Sequence, residues 1–167
     1  MKTLYLCRHA KSSWADAGMD DFDRPLNERG LRNAPYMAKL FKERGEPIDL
    51  IVSSPANRAF TTARFFADAL GTNKERFIQE RLIYLAERHT LAHIVSQLPN
   101  DQHRVMLFGH NPGFTELVNH LSDAGIGNLP TCGLVRIDLT VDDWRHVGKN
   151  SGNLVWFDYP KRHAGQD

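Results

Sequence analysis

At 167 residues the chain has the size of one globular domain, long enough to bury roughly 70% of the surface its unfolded form exposes. Hydrophobic residues make up 41% and charged residues 25%, and a formal net charge of +1 gives no global field toward nucleic acid or a membrane surface. Any anion binding must therefore come from a few well-placed cations.

Three short apolar runs have the length and aliphatic content of buried strands: Leu4–Cys7, Ile48–Val52 and Val105–Phe108. The first is too short for the apolar core of a signal peptide. No segment reaches the ~18 apolar residues of a membrane span, so a cytoplasmic location is expected. Cys7 reads as a small buried thiol, and with Cys132 the only other cysteine no disulfide framework is expected.

Helical spacing follows each run. Leu31, Ala34, Ala38 and Phe41 share one face of a helix capped by Asn27, which Pro35 should kink or shift and which Gly45 and Pro47 end. Ser54 reads as the N-cap of a second helix, with Pro55 in its first turn, Ala59, Ala63, Phe66, Ala67 and Leu70 inward, and Gly71 as the stop. A third helix carries Leu91, Ile94, Val95 and Leu98 up to Pro99. Asn111-Pro112 repeats the cap-then-proline pattern ahead of Leu117, Val118 and Leu121. In the last third, Leu134–Leu139 and Asn153–Phe157 read as a closing strand pair around a turn-rich Lys149–Gly152. Strands alternating with helices predict one α/β domain over residues 1–158. Its architecture is a three-layer sandwich, a mainly parallel mixed sheet flanked by helices on both faces. A polar tail over 159–167 is expected to fray.

In open α/β sheets, ligands bind outside the carboxyl ends of the strands. The first run leads into Arg8-His9. The second leads into Ser53-Ser54-Pro55, with Arg58 a helical turn later, and the third into Gly109-His110-Asn111-Pro112-Gly113. Two arginines and two histidines thus converge, a set suited to a dianionic phosphoryl group. Arg58 in a first helical turn opposes the macrodipole, so it either pairs with a carboxylate or completes the cage of a bound anion. The free N–H groups after Pro112 could add to that cage. A neutral imidazole can attack phosphorus, and adjacent arginine charge disfavours the imidazolium. His9 is accordingly the candidate nucleophile, and His110 the donor to the phosphoryl oxygens.

Arg8-His9-Ala10 resembles the Arg-His-Gly signature of the histidine phosphatase superfamily, whose fold is called phosphoglycerate mutase-like. Ser53–Ala59, running on to Thr62-Ala63, resembles that family's second-arginine motif, and Gly109-His110 its second-histidine motif. The departure is Ala10 in place of glycine, costly if φ there is positive. Asp23-Arg24-Pro25-Leu26 resembles the Arg-Pro-Leu segment of the SixA-like phosphohistidine phosphatases. The resemblance implies that Arg8, Arg24, Arg58, His110 and Asn111 hold the phosphate, with Arg24 alternatively a surface arginine held by Asp21 or Asp23. It further implies a phospho-His9 intermediate, hydrolysis by water, and no metal or other cofactor. The expected partner is a phosphorylated small molecule or a phosphohistidine protein such as a phosphotransfer domain, with neither nucleic acid nor membrane involved.

Substrate class turns on a proton. An alkoxide leaving group needs a general acid, whereas an imidazole, with a pKa of ~6.5, departs readily. Glu87 could occupy the acid position, or be a carboxylate favoured by the start of a helix. His89 and His93 fall at i and i+4 but lack a third metal ligand in sequence, and neither cysteine has an arginine six positions on. Trp14 follows the Arg8-His9 loop closely enough to wall the site. Two other functions fit the motifs, a phosphoglycerate-type mutase and a non-catalytic phosphate-binding module.

Overall fold

A computed structural model describes residues 1–163. In chain order these form β1 (Lys2–Arg8), α1 (Glu28–Glu43), β2 (Leu50–Ser53), α2 (Asn57–Leu70), β3 (Phe77–Gln79), α3 (Arg88–Ser96), β4 (Arg104–Gly109), α4 (Gly113–Leu121), β5 (Leu134–Leu139) and β6 (Gly152–Asp158). Successive strand residues point to opposite faces, and here both faces are apolar. Leu4, Leu6, Val52, Val105 and Leu107 pack with α3 and α4. Tyr5, Cys7, Ile51, Met106 and Phe108 pack with α1 and α2. Burial on both sides explains why β1, β2 and β4 read as continuous apolar runs rather than alternating ones.

The sheet order is β3-β2-β4-β1-β5-β6. The first four strands are mutually parallel, while β5 runs antiparallel to β1 and β6 antiparallel to β5. This is the expected three-layer α/β sandwich, a mainly parallel mixed sheet with helices on both faces. Its register matters for function: Arg8 lies beside Gly109, and Phe108 beside Ser53, so the ends of β1, β2 and β4 finish together.

Local expectations fare unevenly. Asn27 caps α1 by accepting from the Gly30 N–H at 2.9 Å, and the helix runs through Pro35 with its start unmoved. Gly71 ends α2 with φ of 65°, as expected. Ser54 is not the cap of α2; Ala56 holds that position, because the Ser54 hydroxyl is engaged with His110. The helix at 113 is capped by Pro112, yet Asn111 supplies the capping oxygen, accepting from the N–H and hydroxyl of Thr115 at 3.2 and 2.9 Å. Leu98 falls beyond the end of α3. The edge strand β3 has no counterpart among the sequence expectations, since it is short and half exposed. Of the expected tail, Pro160–Arg162 forms a 3-10 turn and His163 bonds Asp158 at 2.8 Å, while residues 164–167 lie outside the described residues. Among the described residues no helix is long and apolar enough to cross a membrane.

Candidate active site

The aligned ends of β1, β2 and β4 open into a cavity of about 200 Å³. Its lining includes Arg8, His9, Arg24, Arg58, His110 and Asn111, which the sequence reading had brought together, and also Lys11, Ser12, Trp14, Leu85 and Thr131. Among the described residues no Asp or Glu lines it.

The backbone around His9 is fixed from several sides. Its N–H donates to the Gly109 carbonyl at 3.1 Å, and the Arg8 and His9 carbonyls both accept from the Cys132 N–H at 3.0 Å. Cys132 adopts the left-handed φ of 58° at this turn. Ala10, wholly buried, donates its N–H to the Thr62 hydroxyl at 3.0 Å, and Thr62 donates in turn to the Arg58 carbonyl at 2.7 Å. Ala10 is not among the positive-φ residues, so its methyl group carries no backbone strain.

His9 Nδ1 lies 2.8 Å from the Ala10 carbonyl oxygen. A carbonyl only accepts, so Nδ1 carries the proton and Nε2 keeps its lone pair. The His110 ring stands 5.4 Å from that of His9. His110 Nε2 meets the Ser54 hydroxyl at 2.8 Å, and Ser54 Oγ also accepts the Ala56 N–H at 3.2 Å. Burial lowers His9 to about 4, against an Ala10 hydrogen bond that raises it, with Arg58, Arg8 and Arg24 lowering it further. His110 falls to about 3, again chiefly through burial and then through His9 and Arg58. Both imidazoles are neutral at pH 7. Desolvation, more than the neighbouring arginines, keeps them so.

Asp21 organises the arginines. It accepts from Arg58 Nη2 at 2.9 Å, Arg24 Nε at 3.2 Å and the Tyr84 hydroxyl at 2.6 Å, while its carbonyl accepts Arg58 Nη1 at 2.6 Å. Partial burial would raise the Asp21 carboxyl, but the Tyr84 and Arg58 bonds and the arginine charges lower it overall. Both readings of Arg58 and Arg24 thus hold together: each pairs with a carboxylate and each lines the cavity. Trp14 lies over Arg24, its ring centroid 3.4 Å from the guanidinium carbon.

One carboxylate cannot use every donor present. Among the described residues six buried side-chain polar atoms lack a partner, and four of them belong to this lining: Arg8 Nε, Arg24 Nη1, Arg58 Nε and His110 Nδ1. Buried donors without acceptors are costly, and a cluster of them around one cavity marks the place of an anion.

Two sequence expectations are placed differently. The Asn111 amide donates to Asn128 Oδ1 at 2.9 Å and to the Leu129 carbonyl at 2.8 Å, which uses both its hydrogens. It clamps the α4 start to the 128–129 loop and has no side-chain donor left for a phosphate. Of the first N–H groups of α4, that of Phe114 goes to the His110 carbonyl and that of Thr115 to Asn111. Glu87 lies outside the cavity, its side chain 79% exposed beside His89 at the start of α3. Asp21, Ser54, Thr62 and Tyr84 had not been assigned as site supports. Ser54 and Thr62, inside the second-arginine motif, and Asp21, a possible partner of Arg24, carried a signal in sequence, and Tyr84 carried none.

The chain belongs to the histidine phosphatase superfamily (branch 1), whose family model matches residues 4–104, and it is a phosphatase of that superfamily. Among solved structures it resembles a protein provisionally assigned as the phosphohistidine phosphatase SixA of Agrobacterium tumefaciens. That likeness is 32% identity with a TM-score of 0.79, over 95% of this chain and 98% of the other. An uncharacterised chloroplastic protein of Arabidopsis thaliana is 28% identical over 93% of this chain and 74% of its own length. A protein of Hydrogenobacter thermophilus provisionally assigned as phosphoserine phosphatase 2 is 38% identical, over 49% of this chain and 39% of its own.

Proposed function

We propose that this phosphatase hydrolyses protein phosphohistidine through a phosphoryl intermediate on His9. The observation that carries the reading is a cavity lined by four cations and two neutral imidazoles and, among the described residues, by no carboxylate. Such a site can bind and polarise a phosphoryl dianion but holds no carboxylic acid to protonate an alkoxide, which favours a leaving group that departs unaided.

In the first step His9 Nε2 attacks phosphorus, and the P–N bond to the substrate imidazole breaks in line. The substrate ring carries a proton on its other nitrogen, so it departs as neutral imidazole. The Nδ1–H bond to Ala10 steadies the positive charge that forms on the phosphorylated ring. Arg8, Arg24 and Arg58 turn their unpartnered donors on the transferring oxygens. With Ser54 donating to Nε2, His110 presents an Nδ1–H to the same oxygens. In the second step water attacks the phosphoryl group on His9, releasing orthophosphate and the neutral imidazole.

Rapid acid-free quenching with a labelled phosphohistidine peptide tests this directly. The expected result is an acid-labile, base-stable phosphoprotein that is absent from His9→Ala, with turnover lowered about 10⁴-fold or more. Full activity in His9→Ala would sink the proposal. The likeness to a phosphoserine phosphatase favours a second reading, in which phosphomonoesters are the substrates. Glu87→Gln separates the two. Selective loss on a phosphoester would give Glu87 the acid role and support the ester reading, whereas unchanged rates on both substrates would remove that role.

A further inference from the structure

Two exposed apolar side chains, Trp14 at 72% and Leu85 at 55%, line the same cavity as His9. Scattered surface hydrophobics are ordinary, so exposure alone says nothing. What sets these two apart is how firmly the backbone next to each is seated.

On one side, the Lys11 carbonyl accepts the Asn27 N–H at 2.9 Å, Ser13 donates to the Pro25 carbonyl at 2.8 Å, and Ser12 bridges to Leu26. Gly30, in the first turn of α1, lies so close that a Cβ there would stand 2.2 Å from the Lys11 oxygen. On the other side, Leu85 follows the 3-10 turn Arg81–Ile83 and takes a left-handed φ of 52°, unusual for a side chain of its kind. Ala86 donates to the Ile83 carbonyl at 3.1 Å. Gly113, the first residue of α4, repeats the arrangement at Gly30: a Cβ would stand 2.2 Å from the Ala86 oxygen. Each loop is thus pressed backbone-to-backbone onto a glycine at a helix start. Neither apolar side chain can drift far from the mouth of the cavity.

We infer that Trp14 and Leu85 are the jaws of a leaving-group subsite, which selects a phosphoryl group carried on a flat ring over one carried on a short flexible chain. The inference rests on the proposed transfer at His9. The cations surround the phosphoryl group, and the apolar pair is left for whatever the phosphoryl group departs from. Leu85 offers no hydrogen bond and Trp14 only its indole N–H, so a ring gains more there than a hydroxyl-rich chain. Arg24 grips one face of the indole, which fixes its plane for stacking.

The test compares Trp14→Ala, Trp14→Phe and Leu85→Ala on phosphohistidine, phenyl phosphate and acetyl phosphate. The readout is the ratio of kcat/KM for each ring substrate to that for acetyl phosphate. Any loss of phosphate grip through Arg24 enters both terms and cancels. Trp14→Ala should lower both ratios about three- to tenfold, the size of a stacking contact. Trp14→Phe should restore most of that, and Leu85→Ala should lower them by about twofold. Unchanged ratios would overturn the subsite and leave the phosphatase reading standing. A wild-type protein that turned over none of the three substrates would overturn both.

Discussion

Two clusters of arginine and acid sit on this sheet, and they differ in what they leave undone. Around Glu46, Arg136 spans both Glu46 and Asp138, while Tyr5 donates to Glu46 at 2.8 Å, Arg104 to Tyr5 at 2.8 Å and Trp156 to Glu46 at 3.2 Å. Two acids face two arginines, and among the described residues no buried side-chain atom of the cluster lacks a partner. Burial and the Glu46 contact raise the Tyr5 hydroxyl, and the Asp138 and Glu46 bonds raise Arg136. At the strand ends, Arg24 and Arg58 share Asp21 while Arg8 donates to the Leu129 carbonyl, and all three keep a buried donor free. The same chemistry, closed on itself, fastens β1, β4, β5 and β6. Left open, it becomes a receptor for an anion.

The largest effect that would break this contrast is expected at Arg58. Arg58→Ala should lower kcat/KM about 10³-fold, as removal of a donor to a transferring group does elsewhere. The check is steady-state kinetics beside a urea unfolding curve. If stability fell steeply while kinetics barely moved, Arg58 would be a partner for Asp21 and no more. Next in size, Glu46→Ala should cost about 3 kcal/mol of stability, because Arg136 and the Tyr5 and Trp156 donors lose their shared acceptor at once. Its kcat/KM should stay within about twofold. A large kinetic loss there would show that the two clusters are not separate.

That division was half legible in the sequence. Arg8, His9, Arg58 and His110 could be found because their strands are buried on both faces and end abruptly in polar residues. Arg58 even announced itself, as a cation where a helix disfavours one. Its carboxylate partner could not be found, since Asp21 lies on a separate loop and reaches Arg58 only through the tertiary fold. Ser54-Pro55 carries one signature for two outcomes, a helix cap or a hydroxyl turned toward a histidine. Glu87 has the residue type an acid role requires, but the register that turns it to solvent is set by how α3 meets the sheet. The edge strand β3 was missed because Phe77–Gln79 is neither long, buried nor alternating.

The open site also responds to acid through its two histidines. The folded values of about 4 for His9 and about 3 for His110 lie below the 6.5 of an unfolded chain. Between those limits the unfolded state binds more protons, so stability is full above pH 6.5 and falls as pH drops toward 4. His9 alone should account for about 2 kcal/mol between pH 6.5 and 5. Proton NMR should show the His9 and His110 ring signals unmoved from pH 8 to 5. Titration of either near 6.5 would show that burial does not hold that imidazole neutral, and the loss of stability between pH 6.5 and 5 would disappear with it.

The smallest effect is the sharpest probe of the comparison, because its sign is at stake. Arg24 is nearly buried, holds Asp21 at a weak 3.2 Å, and leaves Nη1 without a partner. Removing one partner of a buried pair is costly when it strands the other charge, but Asp21 is exposed and keeps Arg58 and Tyr84, so here only the burial cost of the Arg24 charge is relieved. Arg24→Met should therefore leave the ligand-free protein unchanged or up to about 1 kcal/mol more stable, with the methionine keeping contact with Trp14. The same variant should lose much of the stabilisation that inorganic phosphate gives the wild type, about 2.7 kcal/mol at a hundredfold excess over Kd. Thermal unfolding with and without phosphate reads both quantities in one experiment. Arginines of the Glu46 cluster cannot behave this way, since there the anion that completes them is part of the chain. If Arg24→Met instead destabilised the free protein and left the phosphate increment intact, Arg24 would belong with the closed cluster, and the site would need a different third cation.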